Sequence, residues 1–567
     1  MSSVERLPPE ILADIFCCCP REHSTYDLSS TIWTVGRVCR TWREVSITTA
    51  EIWTEIYIKL DELAHREEAG CIDMLRAVLE RTSGLPLHIH FIFPKYRLKD
   101  HYQKVVDVVR KESHRWISLK YDASSFMAYS TDSFSMNHPI PTIYPAQNFE
   151  PKSLPILREV EISTKFQSQT ADYRLFRAIG GSPVLEKLIL SNLDFSNIQE
   201  VMPAIPWGQL KYLGILAGDN PLPVPLAILT GILQRCSSLE SLVVDQCPWE
   251  TRPEESPGPP TLSTLRSLEI QRNPHWGNDL IRASIDLSHI AIVPALDHLG
   301  LSNFDLCQEI DPFIRAIEDS SSELRSVSLR DIALSDITVE RFLRAVGSNL
   351  RILTLQGQVF DHLFDYIASD YQGTFLPKLE KLVVKLDGST VISPPLDAVI
   401  KAVRARVSPP DGTCKLKAVE VDVYAEEAGI GLVEELEAIN NHKLQIEVHR
   451  IEAPYHDGTE VNRIVRLGKF LNTTFFGQHW DLAGDLINLH ENMPMLDTVF
   501  KILENCSSEV YEDRSNIHSL AKLRQVLEKF FKGKDAIPKN YDLAKRAERL
   551  LDDRFGWNPN GRKRHLV

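Results

Sequence analysis

The sequence predicts an α/β chain in three parts: a small helical module, a long solenoid in which a parallel sheet is backed by outer helices, and a C-terminal helical bundle. Three observations carry this. A Leu-x-x-Leu/Val-x-Leu/Ile/Val pattern begins at ten places between Leu157 and Leu416. Segments of helical period lie between those starts, and after about Val448 helical period alone remains. The corresponding boundaries are 1–60, 61–452 and 453–567, and 567 residues exceed what one compact core holds.

Taking the elements in order, Leu7-Pro8-Pro9-Glu10-Ile11-Leu12-Ala13-Asp14-Ile15-Phe16 opens a helix. Proline suits a first helical turn, whose N–H groups lack partners anyway, and an early glutamate complements the positive helix end. Ile11, Leu12, Ile15 and Phe16 share one face at helical spacing. A Ser/Thr-rich linker from Cys17 to Ile32 leads to a second amphipathic stretch, Val35, Val38, Cys39, Trp42 and Val45. A third apolar group follows: Ala50, Ile52, Trp53, Ile56 and Tyr57. Three helices this short bury little surface alone, so the module is expected to complete its core against a partner or the following domain.

Leu-Pro-x-Glu-Ile-Leu-x-x-Ile-Phe at 7–16, Val-Cys-Arg-x-Trp-Arg at 38–43 and Trp at 53 resemble the F-box motif in order and spacing. The resemblance implies that the module docks the Skp-type adaptor of a Skp–cullin–F-box ubiquitin ligase, and through it a cullin. It also implies that Leu7, Pro8, Ile11, Leu12, Ile15, Phe16, Val38, Trp42 and Trp53 lie at or beneath the adaptor contact. Trp42 and Trp53 serve equally well as filling of the module's own core. The linker before Trp33 exceeds that of a minimal F-box.

The ten pattern starts are Leu157, Leu185, Leu210, Leu239, Leu265, Leu296, Leu324, Leu350, Leu379 and Leu416, and eight of the nine gaps span 25 to 31 residues. Alternation puts Leu188 and Leu190, Leu299 and Leu301, or Leu353 and Leu355 on one face of a short strand. Leu226 to Arg235, Pro312 to Ile317 and Val339 to Val346 have helical spacing. Strand, turn, helix and turn in about 28 residues is a leucine-rich repeat, whose stacked strands build a curved parallel sheet. Leu85 to Phe93 and His114 to Leu119 extend the strands upstream. Asn192, Asn273 and Asn303 supply in part the asparagine that commonly follows such a strand. Together with the N-terminal blocks, the chain is similar to F-box proteins with leucine-rich repeats of the fungal type. Residues 122–152 and 251–260, rich in Ser, Pro and Asn or Glu, read as long loops.

Residues alternating with the leucine ladder face the concave side. Lys187, Tyr212, Asp245, Glu269, Gln271, His298, Arg330, Gln356, Lys381 and Lys385 are the candidates for contact with a target protein. They are mixed in charge; each taken singly reads as solvated sheet face, and it is as a set that they are the best candidate for target binding. His88 and His90 share a face at strand spacing, but two ligands do not make a metal site. The ten cysteines, Cys17-Cys18-Cys19 among them, show no metal-knuckle spacing and read as reduced thiols of an intracellular protein, cytoplasmic or nuclear.

The net charge of −14 argues against nucleic acid as a partner, since phosphate contact needs a basic face. No apolar run approaches the roughly 18 residues of a membrane span, and the N-terminus has no secretory pattern. Beyond Ala453, Val461 to Phe475, Leu482 to Leu489, Met495 to Leu503, Leu520 to Phe531 and Tyr541 to Phe555 have helical period. Leu523, Val526, Leu527 and Phe530 against Ala544, Ala547, Leu550 and Leu551 give facing stripes, as in a bundle capping the sheet edge. No P-loop, dinucleotide glycine fingerprint, His-Glu-x-x-His or nucleophile elbow occurs, so neither catalysis nor a cofactor is expected. The expectation is a non-catalytic substrate receptor of a ubiquitin ligase. The alternative is a repeat scaffold without ligase function.

Overall fold

The computed structural model describes residues 7–19, 24–93, 101–123, 154–164, 172–191, 203–216, 226–246, 259–272, 291–302, 314–318, 320, 323–330, 336–356, 361–370, 375–385, 396–407, 415–424, 436, 439, 444–451 and 545–550. They belong to two compact units, one of residues 1–273, 285–296 and 315–322, the other of the remainder.

The first unit begins with α1 (Pro9–Cys17), α2 (Thr31–Val38) and α3 (Arg40–Thr48), then a 3-10 turn at Ala50–Trp53. Eight parallel strands are described after it: β1 (Glu55–Lys59), β2 (Leu87–Ile92), β3 (Trp116–Ala123), β4 (Glu159–Thr164), β5 (Lys187–Ser191), β6 (Tyr212–Leu216), β7 (Ser241–Gln246) and β8 (Ser267–Arg272). Each of β1 to β7 pairs with its successor in chain order. Helices α4 (Glu68–Arg81), α5 (His101–Arg110), α6 (Asp172–Gly180) and α7 (Leu226–Leu233) lie between strands in the sequence. The second unit repeats the plan with β9 (His298–Ser302), β10 (Ser326–Arg330), β11 (Ile352–Gln356), β12 (Lys381–Lys385), β13 (Ala418–Tyr424) and β14 (Gln445–Ile451). Its described helices are α8 (Asp336–Val346), α9 (Asp361–Ser369) and α10 (Leu396–Val407).

Every one of the ten predicted pattern starts is followed by a strand, two residues on. The apolar pairs of the pattern are the core: Leu188 and Leu190, Leu213 and Ile215, Leu299 and Leu301, Val327 and Leu329, Leu353 and Leu355 are all buried. In-register stacking aligns them, Leu188 beside Leu213 and Leu353 beside Leu382. Each such aliphatic side chain withdrawn from water contributes roughly 1.5–3 kcal/mol, so the ladder is the main stabilising element of each unit.

A second column, absent from the sequence reading, runs along the strand entrances. In eight of the ten patterns the residue after the leading leucine offers its carbonyl to two amides further along the chain: Glu186 O accepts from Lys211 N (2.8 Å) and Tyr212 N (3.0 Å), Arg325 O from Arg351 N and Ile352 N. Its side chains are charged, with neighbours often opposite in sign, so Arg158, Glu186 and Lys211 form one run of ion pairs and Arg351, Glu380 and Lys417 another.

Four expectations need correction. The third apolar group is not one helix: after Trp53 the chain straightens, and Ile56 and Ile58 enter the sheet in β1 opposite Ile89 and Phe91. Val35 to Val45 is likewise two helices, because Cys39 is extended (φ −156°, ψ 177°) and its sulfur accepts the Trp42 amide. The loop expected from 122 starts later, since Asp122 and Ala123 belong to β3 and Asp122 O accepts the Phe93 amide. The loop expected to run to 260 is pinned at its end, where Pro260 O accepts the Ile292 amide and Thr261 bridges to Ile292. The rest of both loops and the three asparagines lie outside the described residues, as does the C-terminal region except Lys545–Leu550. That short stretch is helical, with Ala547 and Leu550 buried.

Candidate functional site

Two surfaces hold the residues that the sequence singled out. The first is the N-terminal module. Pro9 starts α1 and Glu10 lies in its first turn. Leu12 and Phe16 turn inward and are buried, while Ile11 and Ile15, one residue earlier in each turn, remain 45% and 44% exposed. Phe16 meets Trp42 of α3 edge-to-face at 5.2 Å, which leaves Trp42 half-buried. Val38 at the end of α2 is 58% exposed, Pro8 is exposed and Leu7 half-buried. Trp53 is only 3% exposed: its Nε1 donates to Ser46 O at 2.7 Å, Trp33 packs on it at 5.1 Å, and the Arg81 guanidinium of α4 stands 4.5 Å from its ring. The nine predicted docking residues therefore divide into an inner set (Leu12, Phe16, Trp53), an outer set (Pro8, Ile11, Ile15, Val38) and two between. Leu28 and Ile47, which sequence reasoning passed over, are also exposed and apolar. Five of the nine large hydrophobic residues exposed among the described ones thus sit between Ile11 and Ile47, a density that solvent alone does not favour.

The second surface is the sheet face opposite the buried ladder. In the first unit Lys187 lies beside Tyr212 in register, its Nζ 5.4 Å from the ring centroid, and pairs with Glu159 at 3.5 Å. Asp245 sits beside Gln271, with Glu269 one step back on β8 beside Val243. Burial, then the charges of Glu269 and Glu161, raise the Tyr212 hydroxyl above its ordinary range, so it stays protonated. In the second unit Arg330, Gln356 and Lys385 form one register row at the ends of β10, β11 and β12, and Arg330 Nε donates to Gln356 Oε1 at 2.9 Å. Lys381, four residues before Lys385 on β12, pairs with Glu420 at 2.7 Å, and His298 Nδ1 is 3.0 Å from Ser326 Oγ.

Strands β1 to β3 add a group that the sequence reading did not assign to this face. Tyr57 and His90 stack at 4.1 Å, His88 Nδ1 lies 2.9 Å from Ser118 Oγ, and Lys120 pairs with Glu161 at 2.8 Å. Burial first, then Lys120 and His88, lower the His90 imidazole to about 4, so it is neutral at pH 7. The signal was available: Trp53-x-x-Ile56-x-Ile58 and Trp116-x-x-Leu119-x-Tyr121 are the repeat pattern with tryptophan in the leading leucine position. Among the described residues no group of three or more His, Cys, Asp or Glu lies close enough to hold a metal ion, and no helix is long and apolar enough to cross a membrane.

Comparison with known proteins adds one assignment. Residues 4–59 match the family model described as F-box-like, a span that covers α1, α2, α3 and β1. No curated protein matches the chain.

Proposed function

We propose that the chain is the target-recognition subunit of a Skp–cullin–F-box-type ubiquitin ligase. One observation carries the reading: the segment that matches the F-box-like family holds Ile11, Ile15, Leu28, Val38 and Ile47 between 42% and 58% exposed, over a core that includes Leu12, Phe16 and Trp53. Covering such side chains with a partner recovers hydrophobic free energy that the isolated chain forgoes. On this reading α1 and α2 dock a Skp-type adaptor, which brings a cullin. The strands form leucine-rich repeats, and the polar sheet faces, with Lys187, Tyr212 and Glu269 in the first unit and Arg330 and Lys385 in the second, are the candidates for contact with the target protein. The chain carries no chemistry of its own, because ubiquitin transfer belongs to other subunits, and it works inside the cell where the adaptor is.

The test is gel filtration of the purified full-length chain with a Skp-type adaptor. Co-elution is expected for the wild type and its loss for Ile11→Glu/Ile15→Glu/Val38→Glu, with the melting temperature unchanged because these side chains already face water. A folded wild-type chain that does not co-elute overturns the ligase reading and leaves the scaffold.

A further inference from the structure

The linker between α1 and α2 does more than join two helices. Thr25 reaches the outer edge of β1 and bonds to both backbone groups of Tyr57: its N–H donates to Tyr57 O at 2.8 Å, and its Oγ1 accepts the Tyr57 N–H at 2.9 Å. Thr25 O in turn accepts Trp33 Nε1 at 3.0 Å, from the first turns of α2. The neighbours are locked in. Ser24 and Tyr26 are buried, and Ser29 N donates to Asp27 Oδ1 (2.9 Å) in a turn that ends where Ser30 O accepts the Thr34 amide and α2 begins. The Trp33 ring then meets Trp53 edge-to-face under Arg81 of α4.

An edge strand exposes N–H and C=O groups that attract other strands unless something covers them. Here the cover comes from the docking module itself, as a one-residue substitute strand. The linker is therefore joined at both ends to the helices that bear Ile11, Ile15 and Val38, and at its middle to β1, whose Tyr57 carries His90 on the sheet face.

We infer that the segment from Ser24 to Ser30 is a latch through which occupation of the docking face is coupled to the order of the first strand of the sheet. The inference rests on the proposed adaptor docking. A partner that fixes α1 and α2 reduces the freedom of the latch to leave β1, and by linkage a closed latch favours the partner by the same factor.

Hydrogen–deuterium exchange of the full-length chain, with and without saturating adaptor, tests it. Bound adaptor is expected to slow exchange in peptides covering 24–30 and 55–59 by about fivefold or more, the lower end of ordinary coupling between sites. Thr25→Val keeps the shape and removes the acceptor of the Tyr57 amide. In that variant the 55–59 peptide should exchange faster without adaptor, and adaptor should no longer slow it. Trp33→Phe, which removes the indole donor to Thr25 O and keeps a smaller aromatic ring against Trp53, serves if Thr25→Val melts early. Adaptor that co-elutes yet slows only α1 to α3 overturns the latch while leaving the ligase reading intact, as does a Tyr57 amide indifferent to Thr25→Val. Adaptor that fails to bind the folded chain overturns the ligase reading, and the coupling with it.

Discussion

Tyr26 is fully buried within electrostatic reach of Cys71 and Arg66, and its hydroxyl has no hydrogen-bond partner among the described residues. A polar group in that state costs free energy that a phenylalanine of the same shape avoids. Tyr26→Phe is therefore expected to stabilise the protein by about 1 kcal/mol, seen as a rise in the denaturant midpoint. His90 works the other way. Its folded value of about 4 lies below the ordinary 6.5, so the unfolded chain binds the proton more readily. The neutral imidazole adds stability that is complete above about pH 6.5 and is lost as pH falls toward 4, on the order of 2 kcal/mol. His90→Gln should flatten that part of the pH–stability curve relative to the wild type; identical slopes would exclude the assignment. Neither residue announces itself in the sequence. A buried tyrosine and an exposed one are the same letter, and only the third dimension shows what stands around the hydroxyl or the ring.

At the scale of elements, irregular joints are held by side chains that sequence periodicity does not reveal. Arg406 of α10 is buried, pairs with Asp370 at 3.3 Å and donates to the carbonyls of Phe375 and Leu376. Asp370 accepts the Phe375 amide at 2.7 Å, and Leu376 has a positive φ of 51° that a leucine rarely adopts. Arg406→Ala removes the cation beside a buried carboxylate and the donor to two carbonyls, and a loss of about 3 kcal/mol is expected in equilibrium unfolding. The charged column is different. Its pairs are largely exposed, so each contributes little, and Glu186→Lys, which sets three cations in a row with Arg158 and Lys211, should cost about 0.5–1 kcal/mol at low salt and less in 1 M salt. The close packing behind the sheet is similarly hidden: a Cβ on Gly180 would lie 1.7 Å from Ala204 O, which fixes glycine at the end of α6.

For the molecule as a whole, the N-terminal module and the first strands share one core. Trp53 leads the pattern of β1, Trp33 packs on it, Arg81 of α4 covers both, and Thr25 closes the edge. A fragment of residues 1–60 lacks α4 and β2, so it is expected to melt without a sharp transition by circular dichroism, whereas the full chain melts cooperatively; a two-state melt of the fragment would show that the module is self-sufficient. What the sequence by itself determined was the ladder. A two-residue alternation recurring every 25 to 31 residues has one economical burial, a parallel sheet of stacked strands, and this follows from local periodicity alone. Helical spacing likewise put Ile11, Leu12, Ile15 and Phe16 on one face of α1, and the structure divided that face into buried Leu12 and Phe16 and exposed Ile11 and Ile15. Only the tertiary structure decided that the N-terminal module runs directly into the sheet, that Trp33 packs on Trp53, and that the long linker covers a strand edge. Those outcomes depend on contacts such as Thr25 with Tyr57, 32 residues apart, and no local pattern encodes which distant backbone group a hydroxyl will meet.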